Sequence, residues 1–382
     1  MAVTEAQVVD ALRPVQDPEL HTSIVDLGMV KRVAIEGVAV SVTVALTVPG
    51  CPLRAEIERR VTDALMPVDG IEQVAVDLTV MTDEERVAVR EKLQGHGVHE
   101  NAGQQGHGHA HGPQRELPFA APGAKTRVLG ISSGKGGVGK SSVTVNLAVA
   151  LAQRGLDVAV IDADVYGFSV PRMLGIDQAP VVIDEMIVPP IAYGVQCISM
   201  GFFAGEDQPV IWRGPMLHKA LEQFLTDVYW GEPDFLIVDM PPGTGDVALS
   251  VAQFMPRSEV LVVTTPQPAA QRVAQRSALM ARKVNLAVGG VIENMSWFTG
   301  DDGKRYEIFG RGGGDALSAS LGVPVIGRIP LVTALREGGD EGRPVTVTDP
   351  DGEASCAFHD LAEKVVVDIA PKRVYRKELT IR

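Results

Sequence analysis

The sequence predicts an α/β fold, a doubly wound and mainly parallel sheet, preceded by a small α+β domain. After about residue 125, short and strongly apolar runs alternate with helical stretches, as in sheets that helices cover on both faces. These runs are RVLGIS, DVAVID, FLIVDM, EVLVVTT, AVGGVIE and VPVIGRI. The first ninety-odd residues follow shorter helix and hairpin patterns, and a polar segment separates the two parts. A chain of 382 residues is long enough for two or three domains.

The small domain, expected over residues 1–93, begins with a short helix. Thr4 and Gln7 have the spacing of a capping box, in which side chains satisfy the free N–H groups at the start of a helix. Val8 and Leu12 then form an apolar stripe that stops at Pro14.

A hairpin, a second helix and a further strand follow in this domain. The extended segment MVKRVAI leads to a turn at Glu36 and Gly37, after which apolar residues alternate from Val38 to Val48. A period of two predicts a strand with one buried face, and a period of about four predicts a helix. These residues are Ile57, Val61 and Leu65 for the helix, and Val74, Val76, Leu78 and Val80 for the next strand.

Residues 94–124 are expected to form a flexible linker. The segment HGVHENAGQQGHGHAH within it is polar and glycine-rich and lacks apolar periodicity. It contains five of the eight histidines of the chain, namely His96, His99, His107, His109 and His111. Imidazole suits Zn²⁺, Ni²⁺ and iron. The histidines therefore either bind such metals transiently or are simply tolerated in a disordered linker.

Composition argues against several classes of function. The 35 basic and 48 acidic residues give a net charge of -13, which repels phosphate backbones and anionic lipids, so neither nucleic acid nor a membrane is an expected partner. Cys51, Cys197 and Cys356 are too far apart to suggest a disulfide framework, and no run of about 18 apolar residues occurs. These features predict a cytoplasmic protein.

The remaining large domain is expected over 125–370, and residues 371–382 form a basic tail with five basic side chains and one acid.

A phosphate-binding loop is predicted directly after RVLGIS. Residues 134–141 read GKGGVGKS, which matches G-x-x-x-x-G-K-[ST], and they lead into a helix on which Val143 and Leu147 share one face. Glycines let backbone N–H groups turn toward phosphate oxygens, and the helix dipole favours the anion. Lys140 is expected to contact the β- and γ-phosphates of ATP, and Ser141 to place its hydroxyl on Mg²⁺. The predicted nucleotide-binding residues of this loop are Gly134, Lys135, Gly136, Gly137, Val138, Gly139, Lys140, Ser141 and Ser142.

Three aspartates follow buried strands on the same side of the predicted sheet. Asp162 and Asp164 end DVAVID and open the next loop, and Asp239 ends FLIVDM. Asp239 fits the position that holds Mg²⁺ or its waters. Asp164 is expected to orient or deprotonate the attacking water, and Asp162 is either structural or part of the metal site. Helix capping is the alternative for any single aspartate of this kind.

Two further loops at this edge carry candidate residues. The segment PPGTGD over 241–246 combines restricted and permissive residues, as in loops that switch with the γ-phosphate. Asn294 follows AVGGVIE, and its amide both donates and accepts, which suits the edge of adenine. The spacing of Asn294 is equally consistent with a turn.

The second lysine of the loop, Lys135, gives the octet a family resemblance. GKGGVGKS resembles the deviant Walker motif of MinD, ParA and the nitrogenase iron protein. In that family the early lysine reaches the nucleotide of the partner subunit, so the resemblance implies a homodimer and slow ATP hydrolysis that depends on dimer closure. The predicted catalytic residues are then Lys135, Lys140 and Asp164. The resemblance also implies that Asn294 contacts the base.

Further motifs resemble the Mrp/ApbC family of P-loop iron–sulfur cluster carriers more closely than MinD or ParA. They are DADVYGFSVPRMLG, VIWRGPM, LIVDMPPGTGD, TTPQ, ENMS and FGRGGG, spread over roughly residues 125–345. The amino-terminal strings DPEL, SIVDLGMV and LTVPGCP are similar to the SufT-like small domains of iron–sulfur assembly. The implied function is to bind an iron–sulfur cluster and pass it to apoproteins, with assembly factors as further partners and with ATP controlling the carrier.

The sequence departs from that family where the cluster is usually bound. The family carries a CxxC pair just after ENMS, but here the corresponding positions are Gly300 and Gly303, which cannot ligate iron. Cys51 precedes Pro52 and a predicted helix, where the dipole favours thiolate, so it is either a cluster ligand or an inert buried thiol.

The other two cysteines are weaker candidates as cluster ligands. Cys197 lies in an apolar run and is expected in the core, whereas Cys356 and His359 are spaced as a ligand pair or share a helix incidentally.

Two other functions stay open: a positioning ATPase of the MinD/ParA kind, and an ATP-controlled assembly scaffold that holds no cluster itself.

Overall fold

A computed structural model describes residues 3–17, 20, 22–47, 54–95, 117, 119, 124–165, 167–183, 186–203, 214–243 and 245–369. The chain divides into two compact units, Met1–His111 with Val181–Val188, and Gly112–Pro180 with Pro189–Arg382. Cys51, the five linker histidines and the predicted basic tail lie outside the described residues.

The first unit is an α+β arrangement built on a three-stranded sheet. Its elements along the amino-terminal part of the chain are α1 (Glu5–Leu12), β1 (Val30–Glu36), β2 (Ala39–Leu46), α2 (Arg54–Leu65), β3 (Gln73–Val80) and α3 (Asp83–Gly95). Strand β2 lies in the middle, antiparallel to β1 and parallel to β3. Because parallel strands need a crossover, α2 connects β2 to β3.

The predicted elements of this unit are confirmed, although Val80, at the end of β3, is 46% exposed. Thr4 and Gln7 form both hydrogen bonds of a capping box. The alternating face of β2 is buried from Val40 onward, but Val38 lies in the turn and is 45% exposed. Gly37 has φ +67°, a left-handed conformation that favours glycine. The turn therefore extends through Val38, one residue further than the alternation predicted.

The second unit contains the large sheet. The elements from β4 to β9 are β4 (Arg127–Ser133), α4 (Lys140–Ala152), β5 (Val158–Asp162), α5 (Val170–Met173), β6 (Val181–Ile183), β7 (Met186–Val188), β8 (Ile191–Ala192) and β9 (Val195–Ser199), of which the hairpin of β6 and β7 groups with the first unit. The elements that follow are α6 (Gly214–Thr226), β10 (Phe235–Asp239), α7 (Asp246–Phe254), β11 (Glu259–Thr264), α8 (Pro268–Lys283), β12 (Ala287–Glu293), β13 (Phe298–Thr299), β14 (Arg305–Tyr306), α9 (Gly313–Leu321), β15 (Val325–Arg328), α10 (Thr333–Glu341), α11 (Val345–Thr348) and α12 (Glu353–Lys364). A 3-10 turn spans Met200–Phe203 and a π-helical turn spans Val365–Ile369.

All six apolar runs form strands of one sheet, as predicted. Its order is β15-β12-β11-β4-β10-β5-β9-β8, with every neighbouring pair parallel except β8 and β9. The chain passes from β4 to β5 on one side, and β11 lies on the other side of β4. The carboxyl ends of β4, β5 and β10 therefore meet at a topological switch point, where ligands bind in open α/β sheets.

Helix α4 is buried along most of its length. Val143, Leu147 and Leu151, the predicted apolar face, are fully buried, but so are residues on its other sides, including Val145 and Ala148. A helix that is apolar all round fits an interior position in the core. Its first turn is thereby held at the end of β4. In the part of the chain that the structure describes, no helix is long and apolar enough to cross a membrane.

Candidate nucleotide-binding site

The glycine loop between β4 and α4 has the backbone of a phosphate cradle. Gly137 and Gly139 have φ +78° and +79°, conformations that favour glycine. Helix α4 then begins at Lys140 without any side-chain cap. The first N–H groups of a helix lack intrahelical acceptors, so this end of α4 can bind an anion.

Asp239, at the end of β10, collects three hydrogen bonds from the first turns of α4. Lys140 Nζ lies 2.5 Å and Ser141 Oγ 2.7 Å from Asp239 Oδ2, while Thr144 Oγ1 lies 2.6 Å from Oδ1. Lys140 Nζ also lies 3.6 Å from Asp164 Oδ2. Lys140 and Asp239 are buried, and Asp164 is 7% exposed. The structure thus brings the predicted lysine, serine and two aspartates together.

The charge balance of this cluster favours the binding of a further cation. One lysine, Lys140, lies among the carboxylates of Asp162, Asp164 and Asp239. Carboxylate and hydroxyl oxygens are hard ligands that suit Mg²⁺. Ser141 Oγ and Asp239 Oδ2, 2.7 Å apart, are two oxygens of this kind.

Thr144 is a site residue that the sequence reasoning missed. It lies one turn after Lys140, and its hydroxyl is fully buried against Asp239. The available signal was a polar side chain within the apolar stretch VTVNLAVALA.

Asp162 has a different environment from the other two aspartates. Its Oδ2 accepts from the backbone N–H groups of Ser169 and Val170 and from Ser199 Oγ, at 3.1 to 3.2 Å. Its Oδ1 accepts from the N–H of Asp164 at 3.2 Å. The carboxylate therefore fixes the loop that carries Asp164, which favours the structural alternative for Asp162.

The protonation of Asp162 is also unusual. Burial, and next the negative charge of Asp239, raise the pKa of the Asp162 carboxyl from 3.8 to about 7, against the opposing charge of Lys140.

Lys135 lies apart from the buried cluster. Its side chain is exposed, and among the described residues it forms no ion pair within the chain. The preceding Gly134 lies against α8, where an added Cβ would come within 2.2 Å of the backbone at Val273 and Ala274.

Asn294 lies against the phosphate loop. Its Nδ2 donates to the carbonyl of Val138 at 2.9 Å, and a Cβ at Gly139 would come within 2.2 Å of the same nitrogen. The side chain is 2% exposed, and within the described residues Asn294 Oδ1 is a buried acceptor without a donor. The structure therefore places Asn294 at the nucleotide loop with one unused hydrogen-bonding atom.

Glu293, beside Asn294, was also missed from the sequence. Its Oε2 accepts from the N–H of Gly314 at 2.5 Å and its Oε1 from Ser296 Oγ at 3.0 Å. A Cβ at Gly314 would come within 2.8 Å of the Glu293 carboxylate, so the glycines of FGRGGG allow α9 to approach the end of β12. A charged residue closing an apolar strand was the available signal.

The loop after Asp239 is attached to β4. The N–H of Gly243 donates to the carbonyl of Ser133 at 2.8 Å, and Gly243 has φ +98°. Thr244 lies outside the described residues.

Gly300 and Gly303, which the sequence resemblance placed at the expected cysteine positions, belong to a hairpin. Gly300 and Gly303 lie in the connection between β13 and β14, where the N–H of Gly300 donates to the carbonyl of Lys304. Cys356, on α12, is exposed and lines a cavity of about 330 Å³ together with Trp297 and Arg305 at the base of this hairpin.

The thiols and histidines of the described residues do not assemble a metal centre. Cys197 is fully buried, as predicted, and burial raises the pKa of its thiol well above the usual value. Within the described ranges, no group of three or more His, Cys, Asp or Glu side chains is arranged to hold a metal ion. Cys356 and His359 therefore lack further ligands from this part of the chain.

A glycine loop that leads from a central parallel strand into a helix, facing a buried aspartate on the next strand, defines a P-loop nucleoside triphosphatase. Comparison with known proteins agrees. Residues 124–366 match the family of NUBPL iron-transfer P-loop NTPases, and residues 5–78 match an iron–sulfur cluster assembly protein family. The chain belongs to the NUBPL iron-transfer P-loop NTPase family.

Similar proteins cover nearly the whole chain. The iron–sulfur cluster carrier protein of Mycobacterium leprae is 49% identical over 354 residues, which are 91% of this chain and 88% of that protein. The protein of the same name from Synechocystis sp. is 42% identical and covers 96% of this chain and 97% of its own length.

A similar solved structure supports the fold of the second unit. It is a nucleotide-binding protein from Archaeoglobus fulgidus in complex with ADP, 33% identical, with a TM-score of 0.52 over 59% of this chain and 89% of that chain.

Proposed function

We propose that this protein is an ATP-binding and ATP-hydrolysing iron–sulfur cluster carrier that passes clusters to apoproteins. The observation that carries the nucleotide part is the buried Asp239 carboxylate, held by Lys140, Ser141 and Thr144 at the start of an uncapped helix. The cargo is proposed from the relatives, which are named iron–sulfur cluster carrier proteins and are similar to this chain along nearly their whole length.

Different residues in and around the loop bind different parts of ATP. Backbone N–H groups around Gly137 and Gly139 bind phosphate oxygens, and Lys140 leaves Asp239 to contact the β- and γ-phosphates. Ser141 and Asp239 hold Mg²⁺, which supplies positive charge to the phosphates. Asn294 contacts the base.

Hydrolysis requires a positioned water and a stabilised transition state. Asp164, held by the N–H contact to Asp162, orients the water that attacks the γ-phosphorus. Within the described chain the exposed Lys135 has no ion-pair partner, so it is available to a second copy, where its charge stabilises the transferred phosphoryl group. ATP turnover is then slow in the monomer and depends on a homodimer.

Variants of three residues test these roles. We expect Lys140→Ala to weaken nucleotide binding at least tenfold, Asp164→Ala to lower kcat with little change in affinity, and Lys135→Ala to lower kcat by about tenfold or more. Steady-state ATPase assays over a range of protein concentrations, with calorimetric ATP titrations, measure these effects.

Lys125→Ala is the matched control for loss of a surface lysine, because Lys125 pairs with Glu232 at the far end of β4. Unchanged turnover in Asp164→Ala would remove Asp164 as the water-positioning residue. Unchanged turnover in Lys135→Ala would argue against catalysis across a dimer.

The cargo site is proposed at Cys51. Thiolates are the usual iron–sulfur ligands, and Gly300 and Gly303 cannot supply them. Cys197 is buried with a raised pKa, which disfavours thiolate. Two copies of Cys51 in a homodimer, with further ligands from the recipient or from small thiols, would complete the coordination.

A second candidate function is an assembly scaffold that binds apoproteins without holding a cluster. The glycine pair in the hairpin between β13 and β14 favours it. ATP-dependent binding of apoproteins by a protein that never takes up iron and sulfide would identify this function.

The proposed organisation is a small domain over 1–93, a linker over 94–124, a nucleotide-binding domain over 125–370 and a tail over 371–382, in a cytoplasmic protein. The family matches to residues 5–78 and 124–366 support the division into two domains.

A further inference from the structure

We infer that Ser277, on α8, is a positioning residue that holds the loop after Asp239 and so sets the preference of the site for ATP over ADP. The inference rests on the proposed nucleotide binding. Ser277 Oγ donates to the carbonyl of Gly243 at 2.9 Å, and Ser277 Oγ lies 2.7 Å from Ser132 Oγ on β4. Both serines are 4% exposed.

The protons of this pair have one consistent arrangement. A hydroxyl has a single proton. Because the Ser277 proton is used by the Gly243 carbonyl, the proton between the two hydroxyls comes from Ser132. Ser132 therefore donates to Ser277, and Ser277 donates to Gly243, in a short chain that runs from β4 through α8 to the loop.

Both backbone groups of Gly243 are fixed by these contacts. Its carbonyl accepts from Ser277, and its N–H donates to the carbonyl of Ser133 at 2.8 Å. The arrangement turns the N–H of Gly243 toward β4. A ligand that recruits this N–H, or that moves the loop, must break at least one of the two bonds.

Helix α8, which carries Ser277, is packed closely against the sheet. Its face toward the sheet consists of small residues, Ala270, Ala274, Ser277, Ala278 and Ala281, all buried. The same helix lies against Gly134 at the start of the phosphate loop. Helix α8 therefore touches the phosphate loop and the loop after Asp239 at once.

The consequence is a bias between nucleotides. Loops of this kind in P-loop NTPases are ordered by contacts to the γ-phosphate and released on hydrolysis. The Ser277 bond stabilises the arrangement seen here, in which the N–H of Gly243 faces β4. It therefore opposes any movement of the loop toward a γ-phosphate, and with it the part of ATP binding that ADP lacks. A ligand shifts such an equilibrium only by its difference in affinity for the two arrangements.

The test compares Ser277→Ala with Ser277→Thr, which keeps the hydroxyl, and with Ser258→Ala. Ser258 is a matched control because it is a buried serine that donates to the carbonyl of Met255, at the opposite end of α7 from the loop. Affinities for ADP and for a non-hydrolysable ATP analogue are measured with Mg²⁺. In Ser277→Ala the analogue should bind about fivefold more tightly relative to ADP, the factor for one typical hydrogen bond. The other two variants should keep the wild-type ratio.

Hydrogen exchange provides the second measurement. Without nucleotide, Ser277→Ala should speed exchange of the Gly243 amide, while Ser258→Ala should not. An unchanged ratio of affinities in Ser277→Ala, or a change equal to that of Ser258→Ala, would overturn the inference. If the wild-type protein bound neither nucleotide, the proposed function would fail instead, and the exchange comparison would still decide whether Ser277 holds the loop.

Discussion

Among single residues, Asn294 carries a buried acceptor that its neighbours in the described chain leave unpaired. Its Nδ2 is used by the Val138 carbonyl, and its Oδ1 is buried without a donor among the described residues. A buried acceptor without a partner costs about 1–3 kcal/mol. Adenine offers an exocyclic amino donor where guanine offers a carbonyl oxygen, so the proposed contact of this atom with the base would favour ATP over GTP.

We predict that Asn294→Ala narrows the preference for ATP over GTP from about tenfold or more to about twofold. Competitive nucleotide titrations measure this preference. Asn146→Ala is the control, since Asn146 is a buried asparagine on α4 that bonds Ser142 and Thr346 instead. A preference that survives in Asn294→Ala would show that another group reads the base.

Asp162 gives the stability of the protein a pH dependence. Its pKa of about 7 in the folded protein lies above the unfolded value of 3.8, so between these pH values the folded state binds the extra proton. The Asp162 contribution therefore favours folding most at low pH and is lost as the pH rises toward 7.

We expect Asp162→Asn to destabilise the protein more at pH 5 than at pH 8. The wild-type protein loses the stabilising contribution of Asp162 as the pH rises from 5 to 8, whereas the variant has no such contribution to lose. Urea unfolding at the two pH values measures the difference in free energy. Asp157→Asn, at an exposed position directly before the same strand, is the control. If the effect of Asp162→Asn grew toward pH 8, the raised pKa would be wrong.

At the scale of elements, the hairpin of β13 and β14 is fastened to α12 through one carboxylate. Glu353 accepts from Trp297 Nε1 and Thr299 Oγ1 at 2.7 Å each and from Arg305 at 2.9 Å. The Arg305 guanidinium also lies over the Trp297 ring, 4.3 Å from its centre. The hairpin that contains Gly300 and Gly303 is therefore held against α12 by several contacts.

We predict that Glu353→Ala loosens this hairpin by about 1 kcal/mol, since three donors lose their acceptor while part of the site remains solvated. Amide exchange at Gly300 and Gly303 should become about fivefold faster, with nucleotide affinity unchanged. Glu307→Ala, which removes an exposed pair with Arg311, is the control. Equal exchange rates in the two variants would contradict the role of Glu353.

The elements were predictable where the chemistry is local. The octet 134–141 and the apolar strands fixed the position of the phosphate loop, and Asp239 followed from the end of its strand. Thr144, Ser277 and Glu293 were not predictable in the same way. Their partners are 95, 34 and 21 residues away in the chain, so their roles depend on which strands and helices become neighbours.

At the scale of the whole molecule, one chain brings together the buried residues of the proposed nucleotide site, but its described residues do not form a cargo site. Lys140, Ser141, Asp164 and Asp239 converge within the second unit. The described residues hold no comparable cluster of thiols, and the remaining candidate is Cys51. Nucleotide binding and cluster binding are therefore separable by experiment.

The most direct measurement is the iron and sulfide content of the protein after anaerobic reconstitution, followed by transfer to an apoprotein that needs a cluster for activity. The wild-type protein should bind iron and sulfide in equal amounts and activate the recipient, with transfer altered by MgATP. Cys197→Ala should load normally, whereas Cys51→Ala should load substantially less. Failure of the wild-type protein to take up iron and sulfide would contradict the carrier function.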